Sequence, residues 1–141
     1  MSAHLDRLVH FYETLTPQSL GALGDVYAPQ ARFRDPFNDV TGTAVVAQVF
    51  RHMFEQVGEP RFEVVGRVDS GQRAALEWVF MFELRGRPFR VHGASVVDFD
   101  DDGRVFVHRD YWDVAEELYE KLPGLGVLLR ALRRRMSATG S

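Results

Sequence analysis

The first sixty residues carry hydrophobic side chains at the spacing of helix faces, interrupted by one short extended segment. In the first stretch, apolar residues recur every three or four positions, at Leu5, Leu8, Val9, Tyr12 and Leu15. This spacing predicts three helices, over residues 4–15, 20–27 and 44–57. A short strand over 31–35 leads into a loop over 35–39, because the residue before Pro36 disfavours helical backbone angles.

Beyond Pro60 the pattern changes to alternation, in which every second residue is apolar. This period is typical of strands with one buried face, and it predicts four strands, over residues 61–68, 74–84, 89–99 and 105–112. The links between them are short and contain glycine, so we expect an antiparallel meander. Helical spacing returns over 113–122, and Pro123 and Gly124 then precede a final helix over 127–136.

Helices followed by an antiparallel sheet place the chain in the α+β class. Its 141 residues are enough for one domain with a self-sufficient core. We expect this domain to cover residues 1–122, followed by a basic amphipathic helix and tail over 123–141. One side of that helix is apolar, and the other carries Arg130, Arg133, Arg134 and Arg135. The tail is expected to cap the pocket or to pack on a partner subunit, with a membrane surface as the alternative.

The alternation also separates a face that covers the helices from an outer face. On the second long strand the inner face is large and apolar, with Leu76, Trp78, Phe80, Phe82 and Leu84. On the third it carries Gly93 and Ser95, which leave space for a pocket or for helix side chains. Among the charged residues of the outer face are four apolar ones, Val65, Val79, Met81 and Val96. We therefore expect a second subunit to cover this face in a homodimer.

Composition narrows the possible functions. The chain has no cysteine, which excludes disulfides, thiol nucleophiles and cysteine metal sites. Its net charge of −3 argues against a nucleic-acid partner held through phosphates. No apolar run approaches a membrane span or a signal-peptide core, so we expect a cytoplasmic protein without integral membrane association. The five histidines lack the spacing of metal ligands, and we expect neither a metal nor a cofactor.

Two sets of motifs resemble one protein superfamily. The first half carries Tyr27-Ala28, Phe33, Asp35-Pro36 and then Gly42-Thr43-Ala44. The second half closes with Asp102-Gly103-Arg104-Val105 and His108-Arg109-Asp110-Tyr111-Trp112-Asp113. Together they resemble the SnoaL-like branch of the ketosteroid isomerase-like superfamily, also called nuclear-transport-factor-2-like. The resemblance covers about residues 5–120. It implies a cone, in which a curved antiparallel sheet wraps around three N-terminal helices and encloses a hydrophobic pocket.

Asp35 is the first catalytic residue that the resemblance implies, at the position of the isomerase general base. Its neighbours Phe33 and Phe37 would desolvate the carboxyl group and raise its pKa toward that of a useful base. The alternative is that Asp35 caps the loop by accepting hydrogen bonds from backbone amides.

Asp110 is the second, and it resembles the acid/base aspartate of the cyclases. If Asp110 faces the interior, strict alternation also places Phe106, His108 and Trp112 there. The alternative is an outward Asp110 paired with a neighbouring arginine, with Val105 and Val107 facing inward instead.

The residues expected to bind a substrate are Tyr12, Phe33, Phe37, Phe54, Trp78, Ser95, His108 and Trp112. The resemblance implies a small hydrophobic ligand, carbonyl-bearing or polycyclic, that Ser95 and Tyr12 would orient. Phe11 and Ser95 stand where the steroid isomerase has its oxyanion-hole tyrosine and aspartate, so the chain departs from that enzyme. Two functions stay open: cofactor-independent acid/base catalysis of an isomerase, cyclase or hydrolase kind, and non-catalytic binding or sensing of a small molecule.

Overall fold

The computed structural model describes residues 3–122 and 124–137. The helices are α1 (Ala3–Glu13), α2 (Leu23–Val26), α3 (Thr43–Gln56), α4 (Val114–Glu117) and α5 (Leu125–Met136). Short 3₁₀ turns precede α2 at Gln18–Ala22 and follow α4 at Tyr119–Lys121. The strands are β1 (Tyr27–Arg34), β2 (Asp39–Thr41), β3 (Gly58–Asp69), β4 (Arg73–Leu84), β5 (Arg87–Phe99) and β6 (Val105–Tyr111).

All six strands form one curved, unclosed sheet in the order β2-β1-β6-β5-β4-β3. Strands β3 to β6 make the predicted antiparallel meander. Strand β1 differs, because it pairs with β6 in parallel. No tight turn joins β1 to β6, so nothing in the connection imposes the antiparallel direction of a hairpin.

Strand β1 begins at Tyr27, four residues before the predicted strand, because Tyr27 already pairs with Val105 of β6. The register then jumps to Arg32 opposite Val107, which leaves an irregular segment around Pro29. Proline has no N–H to contribute to a ladder, and this explains the interruption.

Residues 113–122 form two short turns instead of the predicted helix. Helix α4 ends before Leu118, which leaves helical backbone angles and packs against the core. On either side of it, Glu117 accepts a hydrogen bond from the His92 backbone N–H at 3.0 Å, and Lys121 donates to the Arg90 carbonyl at 2.8 Å. Both contacts satisfy the edge of β5 beyond the end of β6, and they direct this segment along the sheet.

The core lies between the inner face of the sheet and the helices, as the alternation predicts. The inner residues Leu76, Trp78 and Phe82 of β4 are buried, and so is the matching set on β5, Phe89, Val91, Ser95, Val97 and Phe99. Helix α1 buries the apolar face identified in the sequence, with Leu5, Leu8, Val9, Phe11 and Tyr12.

The outer face and the tail expose apolar side chains. On the outer face Val65 is exposed, Met81 and Val96 are half-buried, and Val79 is already buried within one chain. Helix α5 packs on the 3₁₀ turn before it, and its outward residues include Leu128, which is 65% exposed. Within the described part of the chain, no helix is both long and apolar enough to cross a membrane.

Candidate functional site

A cavity of about 450 Å³ opens between α3 and the inner face of the sheet. Most of its wall is aromatic or aliphatic, with Phe33, Phe37, Val49, Phe50, Met53, Val57, Phe62, Trp78, Phe80, Phe82, Leu84, Val91, Trp112 and Leu118. Its polar lining consists of Asp35, Asn38, His52, Gln56 and Asp110. A pocket of this size, apolar with few polar groups, is typical of small-molecule sites.

A bulge in β6 places Asp110 on that wall. The β5–β6 register passes from Phe99 opposite Val105 to Asp98 opposite Val107, so Phe106 is an extra residue. Beyond such a bulge the alternation changes phase. Val105 and His108 are therefore both buried, whereas Phe106 is 43% exposed. The expectation that Phe106 faces the interior was wrong. Asp110 does face the interior.

Two side chains contact the same oxygen of Asp110. Ser95 Oγ donates to Oδ1 at 2.5 Å, and His108 Nε2 lies 2.6 Å from the same atom. The indole N–H of Trp78 donates to Ser95 Oγ at 2.8 Å, so the serine must use its own hydrogen toward Asp110. No hydrogen bond from a described residue reaches Oδ2, and the Asp110 side chain is 17% exposed.

Two buried tyrosines lie behind His108. Tyr27 Oη is 2.7 Å from His108 Nδ1, and Tyr12 Oη makes a short hydrogen bond to Tyr27 Oη. Burial raises the pKa of both tyrosines well above 10, and for Tyr12 the negative charges nearby add to this effect. Both phenols are therefore protonated at neutral pH. Tyr27 was absent from the sequence-based set, although it opens the motif that carries the family resemblance.

Asp35 both caps its loop and lines the cavity. Its Oδ1 accepts backbone N–H groups of Phe37 at 2.8 Å and Asn38 at 2.7 Å, and the Asn38 amide donates at 3.0 Å, so the carboxylate caps its loop. It also lines the cavity. Burial raises the pKa of Asp35, these hydrogen bonds oppose the shift, and the charge of Asp110 adds to it.

The other predicted binding residues divide into three groups. Phe33, Phe37, Trp78 and Trp112 line the main cavity. Tyr12 and Ser95 line a separate void of about 20 Å³ behind Trp78, and His108 lies deeper still, beneath Asp110. Phe54 is not part of the cavity wall, because its position on α3 packs it against the hydrophobic core.

Helix α3 supplies the part of the wall that sequence reasoning missed. Val49, Met53 and Gln56 follow one another at helical spacing on the side that faces the cavity. That repeat was visible in the sequence as a second stripe beside the core stripe. Within residues 3–122 and 124–137, no group of three or more histidine, aspartate and glutamate side chains is arranged to hold a metal ion.

A curved, unclosed six-stranded sheet around helices, with a cavity at its inner face, defines the nuclear-transport-factor-2-like class of α+β proteins. The family model described as SnoaL-like domain matches residues 8–108. The chain therefore belongs to the SnoaL-like family. No curated protein sequence matches it significantly.

Solved structures similar to this chain share its fold at low sequence identity. An NTF2-like protein of unknown function from Burkholderia pseudomallei has 22% identity and a TM-score of 0.73, over 82% of this chain and 95% of that one. A putative SnoaL-like polyketide cyclase from Shewanella putrefaciens has 17% identity and a TM-score of 0.70, over 84% and 97%. An LEH-like epoxide hydrolase from M. tuberculosis has 18% identity and a TM-score of 0.68, over 91% and 93%.

Proposed function

We propose that the cavity binds a small hydrophobic molecule, carbonyl-bearing or polycyclic, and that Asp110 and Asp35 perform cofactor-independent acid/base chemistry on it. The observation that carries this proposal is that two carboxyl groups border one largely apolar cavity. Carboxyl groups in apolar clefts are costly for stability, and such positions are more common at functional sites than elsewhere. Neighbours of the cyclase and epoxide hydrolase kind support a ligand-processing role.

The environments of the two acids favour different roles. Asp110 Oδ1 has two hydrogen-bonding partners, the Ser95 hydroxyl and His108 Nε2, an arrangement suited to a carboxylate, and Oδ2 is left as the base. The pKa of Asp35 is raised by burial, which suits a group that donates a proton. In the proposed step Oδ2 removes a proton from the carbon beside a carbonyl while Asp35 protonates the carbonyl oxygen. An enol results, and its reprotonation at carbon completes an isomerisation or exchange without any electron transfer.

The methyl ketone 2-acetylnaphthalene tests both parts of the proposal, because it is polycyclic and has exchangeable protons beside its carbonyl. Both tryptophans of the chain, Trp78 and Trp112, line the cavity, so quenching of intrinsic fluorescence measures binding directly. In D₂O, proton NMR follows loss of the methyl signal. We expect the protein to accelerate this exchange and Asp110→Asn to slow it by roughly 10²-fold, the scale of general base catalysis, with little change in binding.

Asp102→Asn is the matched control, because Asp102 lies on a hairpin turn with a side chain 78% exposed. Its exchange rate should equal that of the wild type. Binding without accelerated exchange would favour the second candidate function, a non-catalytic binding or sensory domain with the same pocket. Absence of any fluorescence change with this ketone would contradict the proposed ligand class.

We also propose that the chain forms a homodimer through the outer sheet face, and that residues 123–141 are an extension of the SnoaL-like domain. The exposed Val65 and the half-buried Met81 and Val96 support the first proposal. The second is supported by the position of α5, which lines a groove with Asp113, Ala115 and Glu116 and contributes nothing to the cavity wall.

A further inference from the structure

Four side chains form a hydrogen-bonded series that runs from the core to the cavity. Tyr12 contacts Tyr27, Tyr27 contacts His108 Nδ1 at 2.7 Å, and His108 Nε2 contacts Asp110 at 2.6 Å. Tyr27 and His108 are almost completely buried, with 0% and 1% of their surfaces exposed. Buried polar groups need partners, so the direction of each hydrogen bond in this series has consequences for the next.

The inner end of the series sets its direction. Among the described residues, the Tyr12 hydroxyl has one good acceptor, the Tyr27 oxygen, since His108 Nδ1 is 3.5 Å away. Tyr12 therefore donates to Tyr27, and Tyr27 must direct its own hydrogen to His108 Nδ1. A nitrogen that accepts a hydrogen bond carries no proton, so the proton of a neutral imidazole is on Nε2. The reverse direction would leave the buried Tyr12 hydroxyl without an acceptor from the protein.

We infer that Tyr27, backed by Tyr12, is a positioning residue that holds His108 as the neutral Nε2–H tautomer and so presents Asp110 as a hydrogen-bond acceptor. The Nε2–H group then donates to Asp110 Oδ1 beside the Ser95 hydroxyl. Both lone pairs of Oδ1 are thereby occupied, and Oδ2 is left for a ligand. The consequence for catalysis rests on the proposed function, whereas the tautomer itself does not.

Nitrogen-15 NMR of the histidine ring tests the tautomer without any ligand. At neutral pH we expect His108 to show a protonated Nε2 and an unprotonated Nδ1 with the chemical shift of a hydrogen-bond acceptor. Tyr12→Phe is the matched control, because it leaves Tyr27 to donate to Nδ1 and should preserve this pattern. In Tyr27→Phe the Tyr12 hydroxyl is the nearest remaining donor to Nδ1. The hydrogen bond to Nδ1 should therefore be lost completely only in the Tyr12→Phe/Tyr27→Phe double variant. There the Nδ1 signal should move away from the hydrogen-bonded value.

Circular dichroism and urea unfolding confirm that each variant is folded, and the phenylalanines keep the ring volume of the tyrosines. A protonated Nδ1 in the wild type would overturn the inference, because the series would then run the other way. An unchanged Nδ1 signal in the folded double variant would overturn it as well. If the ketone exchange reaction proceeds, the double variant should slow it by about tenfold with unchanged fluorescence quenching, as expected when an outer positioning group is lost. Failure of that reaction in the wild type would reject the proposed function and leave the tautomer result intact.

Discussion

Replacing Gly93 by alanine should destabilise the fold, chiefly through a collision with Trp78. The two residues are directly opposite in the β4–β5 ladder, and the indole lies across the glycine. A Cβ atom on Gly93 would lie 2.6 Å from Cη2 and 2.8 Å from Cζ2 of Trp78, and 3.0 Å from Cβ of Trp112. Carbon atoms in favourable contact are about 3.5 to 4.0 Å apart, so the indole must move by about 1 Å.

Three contributions decide the size of the effect. Overpacking of this kind costs roughly 1–3 kcal/mol. Displacement of the indole also stretches the 2.8 Å hydrogen bond from Trp78 to Ser95, worth about 1 kcal/mol. Alanine restricts the unfolded chain more than glycine does, and this raises the free energy of unfolding by about 0.4–1 kcal/mol. The net loss in free energy of unfolding should therefore be about 1–3 kcal/mol, toward the lower end if the indole moves into the cavity.

Urea unfolding followed by tryptophan fluorescence measures this loss. Gly24→Ala is the control, because a Cβ there meets no atom within 4 Å, and in helix α2 alanine should leave stability unchanged or raise it. A double-mutant cycle isolates the collision, since Trp78→Phe removes the ring atoms that the new methyl group would strike. In that background Gly93→Ala should cost little. A Gly93→Ala variant as stable as the wild type, with unchanged fluorescence, would refute the reasoning.

Four further perturbations test other parts of the structure. Because the pKa of Asp35 is raised above its usual 3.8, its contribution to stability is fully present below that value and is lost as the pH rises through the folded-state pKa. Asp35→Asn keeps an oxygen to accept the loop amides, so in urea melts at pH 7 this variant should be as stable as the wild type or more stable. Asp39 behaves oppositely, because Arg32 lowers the pKa of its carboxyl group. Asp39→Asn should therefore lose stability, and the loss should be largest at neutral pH. Sedimentation should show a wild-type dimer that Met81→Glu dissociates, and a monomeric wild type at micromolar concentration would reject the outer-face interface. Deletion from Gly124 onward removes α5 and exposes Asp113, Ala115 and Glu116, which line a groove with it, so the melting temperature should fall. An unchanged value would contradict a packed tail.

The meander and the two faces of its sheet followed from the sequence because alternation has a physical cause. A strand that buries one face needs an apolar residue at every second position, and burial along β5 follows this rule from Phe89 to Phe99 except at Gly93. Strand β4 follows it from Ala74 to Trp78 and departs from it at Val79, which is buried although it lies on the outer face. The pocket-facing aromatics Trp78 and Trp112 follow from the same rule. Alternation cannot locate an inserted residue, however. The bulge at Phe106 reverses the faces along β6, and it alone decides that both Val105 and His108 are buried.

The tyrosine series illustrates a second limit. In the sequence Tyr27 is the last residue of the predicted helix over 20–27, and its importance depends on His108, which lies 81 positions away in the chain. Tyr27 and His108 meet because β1 pairs in parallel with β6, and no local sequence pattern predicts this pairing. Long-range partners of buried polar groups are therefore the part of the site that periodicity leaves open.

The length of the hairpin turn between β4 and β5 decides which residue lies opposite Trp78. Gly93 and Ser95 are small and were expected to leave room for a pocket or for helix side chains, but the indole of Trp78 fills the space over Gly93. A four-residue turn over 85–88 would put Trp78 opposite Ser95. The observed turn has two residues, Arg85 and Gly86, with φ of 54° and 75°, as a type I′ hairpin requires. This turn places Trp78 opposite Gly93, and the absence of a side chain on the glycine makes room for the indole. The cavity is therefore bounded by the indole of Trp78 on one side and by α3 on the other.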